Sequence, residues 1–353
     1  MTEKKPVFVH ACPSPLPEQE RIQLGHGSGG RMSATLLKER FLPAFPGEVL
    51  RELGDGAPLV LGHREIVVST DSFVVTPLEF PGGNIGDLAV NGTVNDVAMM
   101  GAVPRYLCAG FILEEGLPFE VLDRVLASMS EAAKAAGVVL VAGDTKVVER
   151  GKADGLFINT TGIGELQDGF RPRPHGARPG DVILVSGPLG CHGMAVMMAR
   201  EELSFRLEVE SDTAPLLGPV AALREAVGED VHVLRDPTRG GLASALNEIA
   251  QASGVGMVLE DGLIPIPGPV AAACEVLGLD PLYVANEGVL VAVVAEGAAE
   301  AALDALRRDP LGRQAARVGT VTGNHPGLVV LRTGVGGTRI VDLLPGDQLP
   351  RIC

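Results

Sequence analysis

Short β-branched runs alternate with helical periodicity along nearly the whole chain, and the alternation stops once and then restarts. In the first half EIVVSTDSFVV (65–75), YLCAGFIL (106–113), the apolar VVLVAG (138–143) and LFINTTGIGEL (156–166) read as strands, VVLVAG as a buried one. A small-residue helix over 85–101, closed by Gly101 and Pro104, and an amphipathic helix over 118–136 lie between them. The segment DGFRPRPHGARPGD (168–181) then packs three prolines, three arginines and three glycines without periodicity, as a linker does. Beyond it DVILVSG, VHVLRD, GMVLED and VLVAVVA alternate with helical patterns over 191–202, 239–253, 268–278 and 297–308, and a short strand pair follows. Alternation in both halves predicts two α/β or α+β domains. The 353 residues fit that count at roughly 150 per domain.

The resulting division is an arm with a Gly-rich loop and helix (1–42), a first domain (43–167), the linker (168–181), a second domain (182–333) and a tail (334–353). Lys and Arg number 29 against 44 Asp and Glu, a net charge of −15, which is the wrong sign for binding a nucleic-acid backbone. Trp is absent and aromatics are 3%, so base-stacking platforms are excluded too. No apolar run approaches the roughly 18 residues of a membrane span, and MTEKKPVFVHACPSP has no signal-peptide core, so a cytoplasmic protein is expected. The five cysteines are far apart with no CxxC pair, which supports neither a disulfide framework nor a zinc knuckle.

Carboxylates at element ends carry the strongest chemical signal. Asp71 and Asp144 end strands, Asp55 sits in a Gly-flanked turn, Asp96 lies in VNDVAMMGA, and Asp236 opens DPTRGG. Separated aspartates of this kind suit Mg²⁺, which takes oxygen ligands and keeps water and phosphate in its remaining positions. Each has a plain alternative: Asp236 before Pro237 is also a helix cap, and Asp55 also suits a turn. Asp87, Asn91 and Asn95 recur at every fourth residue, a carboxamide stripe that suggests a fixed hydrogen-bonding wall rather than a solvated face. Gly25-His26-Gly27-Ser28-Gly29-Gly30 before a helix is shaped to cradle phosphate through backbone N–H groups, or is a flexible turn. Lys146, two residues past Asp144, either meets a phosphate, serves as a base or pairs with that aspartate; Glu287 precedes an apolar run. The last residue, Cys353, ends a tail that could reach roughly 40 Å at about 3.3 Å per residue.

Together HGSGG (26–30), STDSFVV (69–75), FPGGNIGDLAVNGTVNDVAMMGA (80–102), FILEEGLP (111–118), AGDTKVVERG (142–151), LFINTTG (156–162), DPTRGG (236–241), ANEG (285–288) and the terminal PRIC resemble the HypE family of hydrogenase maturation proteins. That resemblance implies a mixed α/β (α+β) two-domain PurM-like fold, an N-terminal domain that dimerises into a β-barrel with ATP at the interface, and a flexible tail. It implies that Cys353 receives a carbamoyl group from the carbamoyltransferase HypF. ATP-dependent dehydration then gives a thiocyanate, whose cyanide passes to iron on a HypC–HypD complex. It further implies nucleotide binding by Gly27, Ser28, Gly29, Gly30, Asp71, Asn91, Asp144 and Thr145, Mg²⁺ on Asp55, Asp71, Asp96 and Asp236, and proton removal by Lys146 and Glu287. Gly190-Cys191-His192-Gly193 departs from the family's usual GDHG. Two other functions are open to such a chain: another ATP-dependent synthetase or kinase of the superfamily, and a non-catalytic nucleotide-binding carrier of a tail thiol.

Overall fold

The computed structural model describes residues 30–44, 49–200, 208–344, 349 and 351–353. A helical stretch opens it: α1 (Arg31–Leu36), a π turn (Leu37–Phe41) and α2 (Leu42–Ala44). The first sheet comprises β1 (Ala57–Leu61), β2 (Arg64–Phe73), β5 (Ala102–Glu114), β6 (Val139–Val148) and β7 (Leu156–Leu166), in the order β1-β2-β7-β5-β6. Neighbours run antiparallel except β5 and β6, whose parallel pairing needs a long crossover. Helix α4 (Phe119–Ala136) is that crossover. It buries only Val125, Met129, Ala132 and Ala136 and ends at Gly137, whose φ of 67° suits glycine.

A small hairpin, β3 (Glu79–Phe80) and β4 (Gly83–Asn84), leads into α3 (Ile85–Met99). Asn84 and Asp87 form a capping box: the Asn84 side chain accepts from the Gly86 N–H at 2.7 Å, and the Asn84 N–H donates to Asp87. Nearly all of α3 is buried, because it packs on the sheet with one face and on the second domain with the other.

The second domain alternates β8 (Val182–Val185), α5 (Cys191–Arg200), α6 (Leu217–Val227), β9 (Val231–Arg235), α7 (Gly241–Ser253), β10 (Gly256–Glu260), α8 (Gly268–Leu277), β11 (Val291–Val294), α9 (Ala299–Arg308), β12 (Ala316–Thr322), β13 (Val329–Arg332) and β14 (Thr338–Val341). Its sheet runs β14-β13-β10-β12-β8-β11-β9. The central β8 and β11 are buried at every residue, with α7 over one face and α6 and α9 over the other, which is why they read as unbroken aliphatic runs. Met194 and Val196 of α5 and Val270 of α8 share a core with β2, α3 and α4, so the two domains are joined through packed side chains.

The expected alternation is present, with four differences. VVLVAG is not buried beyond Val138: the rest lies in β6, the edge strand of the sheet, exposed along nearly its whole length because no described element covers it. The arginine-rich segment is not loose, since Phe170, Pro172 and Pro174 are buried and Gly176 packs against the His232 carbonyl. β14 lies within the stretch expected as tail and pairs with β13. Neither β1 nor α6 was expected; Gly218-Pro219 reads as a breaker, yet a proline in a helix's first turn forfeits no internal hydrogen bond. Among the described residues no barrel closes, and no helix is long and apolar enough to cross a membrane.

Candidate active site

Three of the four expected metal aspartates converge. Carboxylate oxygens of Asp55, Asp96 and Asp236 lie within 4.8 Å of one another. They arrive from the turn before β1, from α3 and from the end of β9. Arg235 braces the group from behind, with Nε 3.1 Å from Asp55 Oδ1 and its other nitrogens toward Glu248 and the Leu53 carbonyl. Burial pushes Asp55 up to about 6 against the pull of Arg235, and pushes Asp236 up to about 8 with help from Asp55. Asp96 is raised well above the carboxylate range by burial, then by Asp236, Asp71 and Asp55.

Ser69 Oγ is 2.7 Å from Asp96 Oδ2 and 2.8 Å from the Asp55 carbonyl oxygen. One hydroxyl proton cannot serve both acceptors, so both contacts are hydrogen bonds when Asp96 carries a proton and donates it to Ser69. Three mutually repelling carboxylates, Asp236 buried and Asp55 and Asp96 half-buried, are hard oxygen donors, and they fit a Mg²⁺ ion. Asp71, the fourth expected ligand, stands beside them: its carboxylate is 4.0 Å from Arg239 and is raised by burial.

The carboxamide stripe is the wall expected. Asn95 is buried, donates from Nδ2 to the Ala214 and Glu287 carbonyls, and accepts from the Leu216 N–H at 2.8 Å. Asn91 donates to Thr213 Oγ1, and its Oδ1 has no hydrogen-bond partner among the described residues. Asp87 caps α3 and accepts from Ser128 instead. Behind this wall Glu287 is 2% exposed, with Oε1 likewise unpartnered. Burial, then Asp236, Asp212 and Asp71, raise it well above the ordinary glutamate range.

Asp212 accepts from the Glu287 and Gly288 N–H groups and is pushed by burial to about 6. A Cβ on Gly288 would come 1.7 Å from the Asp212 carbonyl oxygen, so ANEG needs its glycine. Asp212 was not foreseen, because it sits in an irregular segment with no periodicity to place it. It also answers the departure at Cys191, whose thiol burial and Asp212 push up to about 11: a carboxylate stands near that position after all.

The end of the chain is seated here. Leu349 and Ile352 are buried in the core shared by both domains, and Cys353 packs against it. The Val74 N–H donates to an oxygen of the Cys353 terminal carboxylate at 3.1 Å. His192 Nε2 donates to the Ile352 carbonyl at 2.9 Å, which fixes the tautomer and leaves Nδ1 to accept from Ser211 at 2.8 Å. Burial holds this imidazole neutral, at about 4. The Cys353 end, followed by Asp71, Glu287 and Asp96, holds Arg239 firmly charged, so all five groups share one electrostatic neighbourhood.

Lys146 is not among them. It lies with Asp144 and Thr145 on exposed β6 and is ion-paired to Asp144, whose carboxyl it holds below the usual range. Both line a cleft of about 300 Å³ with Phe157, Asn159 and Val74, the residue that binds the Cys353 terminal carboxylate. Gly30 is buried at the start of α1; Gly27, Ser28 and Gly29 lie outside the described residues.

Residues 54–166 match the AIR synthase related protein N-terminal domain, and 178–331 its C-terminal domain. The carbamoyl dehydratase HypE of Cupriavidus necator is 55% identical over 334 residues, covering 94% of this chain and 95% of the relative. A crystal structure of a HypE–HypF complex superposes with a TM-score of 0.83 at 49% identity, covering 88% of this chain and 99% of that one. A crystal structure of HypE in complex with ATP gives 0.79 at 51% identity, with coverage of 94% and 99%.

Proposed function

The chain belongs to the HypE family of carbamoyl dehydratases, and on that premise we propose that it dehydrates an S-carbamoyl group on its own Cys353 to a thiocyanate, using ATP, in hydrogenase maturation. The observation that carries this reading is the seating of the chain's end between the two domains, with Cys353 held by the Val74 N–H at the end of the strand that carries Asp71 and Ile352 held by His192. A carboxamide oxygen leaves poorly. Transfer of the γ-phosphoryl group to it gives ADP and an S-bound imidoyl phosphate, with loss of one N–H proton. Loss of the second N–H proton and of phosphate leaves S–C≡N.

The chain's residues have matching tasks. Glu287 is the proton acceptor of this proposal, buried beside the aspartates with an Oε1 that no described residue pairs. Arg239 meets phosphate charge. Asp55, Asp96 and Asp236, with Asp71 alongside, would hold Mg²⁺, which would supply positive charge against a triphosphate within an acidic chain. Lys146 works from the cleft side, on the second proton.

The remaining expectations join this proposal. HypF donates the carbamoyl group and HypC–HypD receives the cyanide, in the cytoplasm. Two copies join at the first sheet and close a barrel there; its support is the uncovered aliphatic surface of β1 and β6, where Val60 is 73% and Val147 68% exposed. The glycine loop and Asn91, Asp144 and Thr145 complete the nucleotide site.

Incubation with HypF, carbamoyl phosphate and Mg-ATP, followed by the mass of the C-terminal peptide, tests the function. The expected result is a carbamoyl adduct on Cys353 that loses one water only with hydrolysable ATP. An unmodified tail beside active HypF would overturn the reading.

A further inference from the structure

Each of the last three residues has a main-chain oxygen held. The Cys353 terminal carboxylate accepts from the Val74 N–H, the Ile352 carbonyl from His192, and the Arg351 carbonyl from the Thr76 N–H at 3.3 Å and from the Arg200 guanidinium. Such backbone bonds seat a peptide without reading its sequence. The side chain of Arg351 is treated differently. One terminal nitrogen forms an ion pair with Asp154, Nε and the other terminal nitrogen each donate to the Val74 carbonyl at 3.2 Å, and the latter also reaches Thr76 Oγ1 at 3.0 Å. The guanidinium carbon lies 5.9 Å from the centroid of the Phe157 ring. All three nitrogens are engaged, and an ammonium in place of this planar fork could not repeat the pattern.

The backbone gives an independent sign. Arg351 has φ 57°, in the left-handed region that a non-glycine residue enters only when its surroundings hold it there. This turn directs Ile352 into the shared core and Cys353 toward Val74.

We propose that Asp154, assisted by Thr76 and Phe157, forms a subsite that reads Arg351 and thereby positions Cys353. The macromolecular substrate, the chain's own end, is then selected by an arginine two residues before the cysteine. Asp154 is a positioning residue: it acts on the tail and not on the reacting atoms. The functional significance rests on Cys353 being the modified residue, but the test below does not use that chemistry.

The test alkylates the full-length protein with iodoacetamide and follows Cys353 by the mass of the C-terminal peptide. Asp154→Ala is expected to accelerate alkylation about three- to tenfold, the range for a charge-assisted contact discounted for its partial exposure. High salt should accelerate the wild type and leave Asp154→Ala nearly unchanged. Arg351→Lys keeps the charge and loses the planar fork, so it should accelerate alkylation as well. A wild-type rate in Asp154→Ala or in Arg351→Lys overturns the proposal. Should HypF leave wild-type Cys353 unmodified while these differences persist, the functional reading fails and the subsite stands. Normal dehydration with unaltered alkylation in Asp154→Ala removes the subsite alone.

Discussion

Glu287 and Lys146 are expected to handle protons in one reaction, yet they stand in opposite surroundings. Glu287 is walled by α3, by the 211–216 segment and by the second sheet, with its backbone fixed by Asn95 and Asp212. Lys146 lies on an edge strand, 68% exposed, with an equally exposed aspartate as its partner. The first half of the site is completed by the chain's own folding. The second half has apolar neighbours, Val141 and Val147, that nothing among the described residues covers. The proposed second copy would supply that wall.

The largest expected effect tests the finished side. Glu287→Gln removes the proton acceptor and keeps the volume, so thiocyanate formation should fall about a hundredfold or more while ATP binding persists. Unchanged formation would remove Glu287 from the chemistry. A smaller effect tests the unfinished side. Val141→Glu places a carboxylate on the uncovered surface, and a charge taken into an apolar interface without a partner should raise a dimer dissociation constant at least about tenfold. Sedimentation would then report single chains, and turnover would fall with dilution. If the wild type already sediments as a single chain at full activity, the comparison collapses.

The two sides also differed in how far the sequence disclosed them. Asp87, Asn91 and Asn95 were legible because helical spacing alone puts them in line, and small apolar residues around them meant burial. The convergence of Asp55, Asp96 and Asp236 was legible, since aspartates at element ends aim at a common rim, while the ion they would hold belongs to the proposal. β6 was misread because an aliphatic run states what a strand can bury and not whether anything lies over it. Asp212 carries no local pattern. Arg351 and Asp154, 197 positions apart in the chain, meet only through the tertiary fold.

A third effect, smaller again, lies in pH. Asp236 is pushed up to about 8 and Asp55, Asp87 and Asp212 to about 6, each chiefly by burial. A carboxyl raised in the folded state binds its proton more tightly there than in the unfolded chain. Its stabilisation is therefore complete below the unfolded value near 4 and is lost as pH rises through the folded value. The metal-free protein should lose thermal stability between about pH 5 and 8, and Mg²⁺ should restore most of the loss at the upper end. Asp236→Asn should flatten the upper part of that slope, and a midpoint independent of pH without Mg²⁺ would refute the crowded-carboxylate account.

The smallest effect closes the comparison from the exposed side. Asp144 is paired with Lys146, but water reaches both and the pair is screened. Asp144→Asn should leave the thermal midpoint unmoved. Asn95→Ala, which strands the Leu216 N–H and abandons two interdomain carbonyls, should lower it clearly, at about 1–3 kcal/mol for a buried group left without its partner. Should Asp144→Asn destabilise as much as Asn95→Ala, the β6 side is already enclosed in the protein as it exists in solution. The dilution dependence of wild-type turnover would then show whether a second copy does the enclosing.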